Sequence, residues 1–494
     1  GCRARMKLFF VIATLLLALG SALLHWTQPG KQTEVPVIWW ITQDDHYKQE
    51  IVTVFREWLR EKGLPDVDLR IDNSNQDATK KLVQGVSGVG ADLMDLYNFQ
   101  IDLFPATGMM LDVTEEAKRL GFSPDDTYPA LRPEITQNGR QYSFPRNTGV
   151  SLYWVNVGTF KKLGLPAPPF RWSTDEFEEL GKRFVAAANP PGTRQRAYFV
   201  NGVSRDVMRR GLGLANFNET GTFCTLNDPR NVAVLERVRK WTVEDRLMPT
   251  REEDAAMAAD ISGSGSMFSH FDSGRFGLIY TGHWAFIMIR PRGTFELAAA
   301  EGPQDGFPNT ELGGGAVGVY AGSKHREHAV RFLQYLGSDH FNRLIVRQAD
   351  SLPPVPRYAT TDEFLRPAGR ENEWPVHQAF GRATAETGII VSKSPFVLQS
   401  VVYRLELEIY ESLLVGRLNA EQAAALMADR INAEIQLSVR RDPGLRALYE
   451  ERVALQKRIE AKRAAGERVP AAWVTDAFHQ AYYRAQGWLE EEAP

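Results

Sequence analysis

Apolar residues in this chain form short continuous runs that alternate with longer stretches of helical spacing. Residues 35–42, VPVIWWIT, are a continuous β-branched and aromatic run, which predicts a mostly buried strand. In residues 45–62 the apolar positions recur at helical intervals, which predicts a helix with one buried face. The same alternation predicts strands at residues 67–71 and 91–97 and a helix at residues 77–84. Strands that alternate with helices predict a sheet with parallel strands, wound on both faces by helices.

Helix start signals continue this α/β pattern in the middle of the chain. Ser173, with Glu176 three residues later, predicts the start of a helix at residues 175–188. Further elements are predicted as helices at residues 231–245 and 325–336 and a strand at residues 275–280.

The end of the chain is predicted to be helical. Asn419 is expected to cap a helix that runs to about residue 439, and two charged amphipathic helices are predicted at residues 445–465 and 472–486. We expect residues 440–494 to be a helical extension that packs on the second lobe or on a partner.

Length and composition narrow the possible classes of protein. A chain of 494 residues is too long for one compact core, so at least two lobes are expected. The net charge of -3 provides no basic surface, which argues against a nucleic-acid partner. The two cysteines, Cys2 and Cys224, cannot build a disulfide framework or a cysteine-based metal site.

The N-terminal segment predicts export. Basic residues precede the uncharged apolar run at residues 8–24, which is the pattern of a signal peptide or of an uncleaved membrane anchor. The small residues Ala18-Leu19-Gly20 favour cleavage, whereas the length of the run and Trp26 at its end favour retention in the membrane. We expect a periplasmic or otherwise extracytoplasmic protein, with residues 1–34 as signal or anchor and spacer.

The passage YSFPRNTGVSLYWVNVGTFK, residues 142–161, combines constrained and polar residues between apolar segments. Pro145 restricts the backbone and Gly149 permits bending, so residues 145–149 are predicted to form a hinge or ligand loop. The aromatic run at residues 150–156 predicts a strand directly after it.

Six segments resemble, in order, those of the family 1 extracellular solute-binding proteins, the receptors of sugar-type ABC importers. The segments are VIWWITQDDHYKQEIVTVFREW, SGVGADLMDLY, MLDVTEEAK, YSFPRNTGVSLYWVNVGTFKKLGLPAPPFRWSTDEFEEL, FDSGRFGLIYTGHWAF and GGGAVGVYAGSKHREHAVRFLQYL. Arg146 is less usual for the family, Ala91 stands before Asp92 where the family usually has proline, and residues 440–494 fall outside the family pattern.

The resemblance implies a type II periplasmic-binding-protein fold, with two doubly wound α/β lobes, a hinge and a ligand cleft between the lobes. It places residues 35–146 and 281–336 in lobe I and residues 147–280 and 337–439 in lobe II. The first crossover is expected at FPRNTG and the second within residues 271–286. The implied function is to bind a carbohydrate of oligosaccharide size and to deliver it to a membrane permease.

A sugar offers hydroxyl groups at its edge and C–H bonds on its faces, so its pocket needs aromatic rings and polar groups. The resemblance makes Trp284 the first candidate, with Tyr280 and His283 beside it, although core packing is the alternative for these rings. Arg146 and Asn147 follow at the first crossover, where capping of the hinge is the alternative. Other candidates lie at strand ends, on strands or in a glycine run: Trp40, Gln43, Asp44, Asn98, Tyr153 and Gly314.

No catalytic motif is present in the sequence, and we expect neither an enzyme nor a cofactor nor a metal site. His325 and His328 have metal-like spacing, but a surface accident explains the pair better. Two alternatives remain open: an exported receptor that senses sugar or binds a non-sugar ligand, and a carbohydrate-active enzyme. The enzyme needs two converging carboxylates, for which Asp44, Asp92 and Asp95 are the available residues.

Overall fold

The computed structural model describes residues 35–259 and 266–490. The predicted signal or anchor segment at residues 8–24 lies outside these residues. Within them, no helix has the length and apolar character needed to cross a membrane.

The strands of the described residues are β1 Val37–Ile41, β2 Asp68–Asp72, β3 Leu93–Tyr97, β4 Thr136–Gln137, β5 Arg140–Gln141, β6 Ser143–Asn156, β7 Tyr198–Val200, β8 Phe276–Gly282, β9 Leu297–Ala300, β10 Thr310–Val319, β11 Gly388–Ile389, β12 Val469–Pro470 and β13 Leu489–Glu490. Over residues 35–259 and 266–490 they form one nine-stranded mixed sheet and two small two-stranded sheets. In the large sheet the order is β2-β1-β3-β10-β6-β8-β7, with β11 paired to β10 and β9 paired to β6.

The predicted helix starts are confirmed by their capping bonds. Ser173 accepts from the Glu176 backbone, and the Glu176 carboxylate accepts from the Ser173 backbone at 2.7 Å. The α-helices are His46–Glu61, Ala78–Val86, Gln100–Ala106, Thr114–Leu120, Arg132–Ile135, Val157–Lys162, Thr174–Ala188, Arg205–Gly211, Pro229–Val243, Arg251–Ala259, Ser266–Asp272, Phe286–Ile289, Arg326–Leu336, Asp339–Gln348, Asp362–Leu365, Trp374–Glu386, Gln399–Leu414, Ala420–Arg441, Pro443–Ala464 and Ala477–Ala485. Short 3-10 helices lie at Pro124–Asp126, Pro129–Leu131, His283–Ala285, Arg290–Arg292, Pro356–Thr360, Glu371–Glu373 and Ala471–Trp473.

The first lobe is built on the parallel strands β2, β1 and β3, with β10 antiparallel beside β3. Its core contains Trp40 and Phe55 packed against Phe332, as the continuous apolar run of β1 predicts. Phe341 and Leu344 lie in the same core. The helix Asp339–Gln348 therefore belongs to the first lobe, whereas lobe II was predicted to resume at residue 337.

The second lobe is built around the far half of β6, which pairs with β8 on one side and β9 on the other. Trp154 packs against Phe286, and Leu297 lies in the same apolar cluster. This packing corrects the expectation that residues 281–336 return to lobe I, because residues 281–300 remain bound to β6 in the second lobe.

Within the described part of the chain, three segments cross between the lobes. The first is β6, which continues as a strand through residues 145–149, where a loop was predicted. The second is β10, which pairs with β6 over almost its whole length and corrects the prediction of a crossover within residues 271–286. The third is the segment after helix Asp339–Gln348, where Leu352 exchanges backbone hydrogen bonds with Thr148.

The C-terminal extension packs on the second lobe. Tyr483 donates its hydroxyl hydrogen to Glu219, and the Gln456 amide donates to the same carboxylate at 2.7 Å. Phe478 lies fully buried against Phe307. Both predicted helices of the extension are present, as Pro443–Ala464 and Ala477–Ala485.

Candidate functional site

The crossings meet at a buried network of charged side chains, which begins at Asp95 on β3. Its carboxylate accepts hydrogen bonds from the Trp40 indole at 2.9 Å, the Thr42 hydroxyl at 2.6 Å and the Tyr97 hydroxyl at 2.9 Å. Three donors therefore compensate for the loss of water around this buried carboxylate.

Arg146 lies at the centre of the network because β6 carries a bulge at this residue. The pairing shifts so that Asn147 faces Gly315 and Pro145 faces the next residue, which leaves Arg146 as the extra residue. Its guanidinium donates to Asp350 at 2.7 Å and to the Tyr97 hydroxyl at 3.1 Å. The bulge thus directs the arginine toward the third crossing.

Asp350 joins the third crossing to both lobes. Besides Arg146, its carboxylate faces the ammonium group of Lys48 at 3.5 Å and accepts from the Asn147 amide at 3.2 Å. Burial acts to raise the pKa of Asp350, but the Lys48 and Arg146 charges outweigh it and hold the pKa below its ordinary value. The carboxylate is therefore ionised and satisfied within the hinge.

The backbone on either side of Asp350 is strained. Ala349 and Ser351 have φ values of 56° and 66°, in the left-handed region that non-glycine residues seldom adopt. The ion pairs of Asp350 and the backbone bonds between Thr148 and Leu352 hold this conformation. A strained, over-determined segment of this kind is typical of a hinge or a functional site.

The glycine run of β10 fits closely against the first crossing at one residue and opens to space at another. A Cβ at Gly314 would lie 2.3 Å from the carbonyl oxygen of Asn147, so only glycine fits there. A Cβ at Gly313 would meet no atom within 4 Å. Gly314 therefore has a packing role, and Gly313 borders free space at the crossing.

Polar groups of the second lobe lie beside this open position. The Tyr280 hydroxyl donates to Glu311 at 3.0 Å, and the Tyr280 backbone donates to Asn201 at 2.7 Å. Burial and the negative charge of Asp206 raise the pKa of Glu311, which is half-buried. Sequence reasoning missed Glu311 and Asn201, although a lone carboxylate two residues before a glycine run in an apolar strand was a visible signal.

Trp284 keeps an accessible indole where β8 reaches the crossing. Gly282, at the end of β8, pairs with Ser151 of β6, and the Trp284 ring packs edge-on against Phe268 at 5.8 Å. With 37% of its surface exposed, the ring has a face that a ligand can cover.

A profile of bacterial extracellular solute-binding proteins matches residues 42–340. The chain belongs to this family. A comparison with curated proteins returned no match.

The solute-binding protein has the fold of several solved family structures. It is similar to an ABC substrate-binding protein from Listeria monocytogenes in complex with cycloalternan, with 18% identity, a TM-score of 0.66 and coverage of 81% of this chain and 99% of the other. A receptor from Streptomyces glaucescens, solved without ligand and with acarbose, gives 16% identity and a TM-score of 0.65, with coverage of 81% and 99%. The maltose/maltodextrin-binding domain from Bdellovibrio bacteriovorus bound to maltotriose has 19% identity and a TM-score of 0.62, with coverage of 82% of this chain and 100% of the other.

Three of the predicted site residues of the solute-binding protein have no accessible surface. The Trp40 indole is occupied by Asp95, and the Tyr153 hydroxyl donates to the Gly202 carbonyl at 2.8 Å. His283 shares a hydrogen bond of 2.8 Å with His377. The burial of these three side chains argues against their contact with a ligand in the cleft.

Three other predicted residues are exposed at one edge of the first lobe. Gln43 and Asp44 follow β1, and Asn98 follows β3. Because β1 and β3 are parallel neighbours, their carboxyl ends meet at the same edge of the sheet. The Gln43 and Asn98 side chains have no hydrogen-bond partner in the described part of the chain, whereas Asp44 accepts from Gln49 at 2.6 Å.

No group of three or more His, Cys, Asp or Glu side chains within residues 35–259 and 266–490 is arranged to hold a metal ion. His325 directly precedes helix Arg326–Leu336, and His328 lies on its first turn. Burial, the neighbouring His377 and Arg290 lower the pKa of His283, so this imidazole is neutral near pH 7.

Proposed function

We propose that this solute-binding protein binds a carbohydrate of oligosaccharide size between its lobes and delivers it to the permease of an ABC importer. The observation that carries the proposal is the contrast between polar groups buried at the crossings and polar groups exposed at the edge of the first lobe. Arg146 and Asn147 both donate to Asp350 inside the hinge. The side chains of Gln43 and Asn98, in contrast, keep their hydrogen-bonding capacity for a ligand, since the described residues offer them no partner.

The chemistry of the accessible groups suits a sugar. The exposed indole of Trp284 offers a flat face to sugar C–H bonds. The amides of Gln43 and Asn98 can both donate to and accept from hydroxyl groups, and the carboxylate of Asp44 can accept from them. Open space next to Gly313 allows a ligand to approach the backbone of β10.

Related structures support a carbohydrate as the ligand class. Three of the similar proteins were solved with cycloalternan, acarbose and maltotriose, whereas two others hold tagatose and glycerophosphocholine. By the same reasoning, closure of the lobes around the sugar creates the surface that docks on the permease. We also propose an extracytoplasmic location, with residues 8–24 as the export segment and, if uncleaved, the membrane anchor.

The carboxylates that the enzyme alternative requires are already engaged. Asp92 accepts from the Trp39 backbone at 2.9 Å and the Ser323 hydroxyl at 2.6 Å. Asp95 accepts from three donors in the hinge network. Asp44 alone is exposed, and glycoside hydrolysis ordinarily needs two carboxylates that flank the bond. These contacts favour a binding protein over a hydrolase.

The test is a thermal-shift screen of the purified protein against oligosaccharides, including maltotriose, cyclic glucans and acarbose. A ligand present at 100 times its Kd stabilises the folded state by about 2.7 kcal/mol, which is a readily measured shift. Sugar binding without release of shorter products supports the proposal. A stabilisation by non-sugar solutes alone, or cleavage of the sugar, overturns it.

Trp284→Ala tests the position of the site, with Trp39→Ala as the matched control. Both indoles are exposed, at 37% and 43%, but Trp39 lies on β1 beside Arg70. We expect Trp284→Ala to abolish the ligand-induced shift and Trp39→Ala to preserve it. Equal shifts in both variants would remove Trp284 from the site.

A further inference from the structure

A salt bridge joins the two lobes in addition to the backbone pairing of the three crossings. The ammonium nitrogen of Lys393 lies 2.8 Å from a carboxylate oxygen of Asp102, with the side chains 23% and 19% exposed. Asp102 belongs to helix Gln100–Ala106, whose Ile101 and Phe104 pack in the first lobe. Lys393 follows β11 in the second lobe.

The backbone around Lys393 is held firmly on the second lobe. Arg210 donates to the carbonyls of Ile389 at 3.2 Å and Ile390 at 2.8 Å. On the other side, the Ser394 hydroxyl donates to the Gly221 carbonyl at 2.6 Å. Lys393 therefore projects from a fixed segment toward the first lobe, and its partner Asp102 moves only if the lobes move.

The C-terminal extension packs against the same segment. Phe478 shares an apolar cluster with Ile389 and Ala215, and Ala477 packs against the cluster that contains Ile390. The extension also binds Glu219, two residues from Gly221, through Tyr483. The similar solved structures match 98–100% of their own lengths but only 81–82% of this chain. This chain thus contains segments additional to their shared fold.

We propose that Lys393 and Asp102 form a latch that stabilises the closed lobes, and that the C-terminal extension sets its strength by holding the Lys393 segment. The inference rests on the lobe closure that the proposed function requires, and not on the identity of the ligand. When the lobes separate, the attraction between the two charges weakens with distance and with entry of water. A larger closed fraction raises the apparent ligand affinity in proportion.

The latch is tested by Lys393→Met, Asp102→Asn and the charge-swapped double variant Lys393→Asp with Asp102→Lys. Small-angle X-ray scattering of the ligand-free full chain should give a larger radius of gyration for each single variant and the wild-type value for the swap. Titration with maltotriose should show affinity reduced about two- to fivefold in the single variants, as expected for a partly exposed ion pair, and restored in the swap.

Lys161→Met is the matched control, because Lys161 pairs with Glu296 within the second lobe at 2.7 Å and is 64% exposed. We expect it to change neither quantity. Unchanged radius and affinity in the Lys393 and Asp102 variants would overturn the latch. If the wild type does not bind maltotriose, the titration uses the oligosaccharide that gives the largest thermal shift, and the scattering of the ligand-free variants decides the latch in either case.

The role of the extension is tested with Phe478→Ala, alone and combined with Lys393→Met. If the extension acts through Lys393, Phe478→Ala should enlarge the radius of gyration as Lys393→Met does, and the double variant should show no further increase. Additive effects, or no effect of Phe478→Ala on a protein that remains folded by circular dichroism, would contradict the proposed coupling.

Discussion

Replacement of Arg146 should lower the free energy of unfolding by more than the loss of an exposed ion pair does. Arg146 and Asp350 are 2.7 Å apart, with side chains only 4% and 6% exposed. At an effective dielectric constant of 20, the attraction at this distance is about 6 kcal/mol before desolvation is subtracted. Breaking a buried pair by removal of one partner costs about 3–5 kcal/mol. Because Lys48 remains to neutralise Asp350, we expect Arg146→Met to cost about 3 kcal/mol.

The assay is equilibrium unfolding in urea, with Arg343→Met as control. Arg343 pairs with Asp339 on the helix surface, where both side chains are about half exposed, so its loss should cost less than about 0.5 kcal/mol. The folded-state pKa of Asp350 is depressed, so its contribution is present above its unfolded pKa of about 4 and is lost as the pH falls through the folded-state value. Equal losses in the two variants at pH 7 would refute the reasoning.

Two further predictions concern packing and pH. Gly314→Ala places a methyl group 2.3 Å from the Asn147 carbonyl and should cost about 2 kcal/mol in urea unfolding, whereas Gly313→Ala should be nearly neutral; similar losses would contradict the assigned geometry. Burial depresses the pKa of His283, so the unfolded chain binds a proton that the folded protein excludes as the pH falls below about 6.5. As the pH decreases, the free energy of unfolding should therefore decrease by at most about 1.4 kcal/mol per pH unit for this residue. His283→Asn should reduce this pH dependence between pH 6.5 and 5. An unchanged pH dependence would contradict this account.

The order of elements was predictable because it depends on local patterns. The continuous run in β1, the helical spacing after it and the capping box at Ser173 each act within a few residues. The segments of the family resemblance added the two-lobed arrangement, and the family match confirms that resemblance.

The site was less predictable because it depends on long-range pairing. The bulge that directs Arg146 toward Asp350 arises from pairing with β10, more than 160 residues later. Strand alternation showed that neighbouring side chains face opposite ways, but not which of them faces the core, so Tyr153 was assigned to the ligand although it is fully buried. The second crossover was predicted at the Gly-x-Trp sequence that contains Trp284, because this sequence resembles the family's second crossover. The segment that crosses is instead the glycine run of β10.

The most direct test of the central claim is a calorimetric titration of wild type and Gly313→Leu with the oligosaccharide that gives the largest thermal shift. The Cβ of a leucine at Gly313 would meet no atom within 4 Å, and we expect its side chain to fill the open space at the crossing. Saturable binding of intact sugar by the wild type, and its loss in a stably folded Gly313→Leu variant, is the predicted result. Equal affinity in the two proteins would contradict the account, because the ligand would then bind outside the cleft.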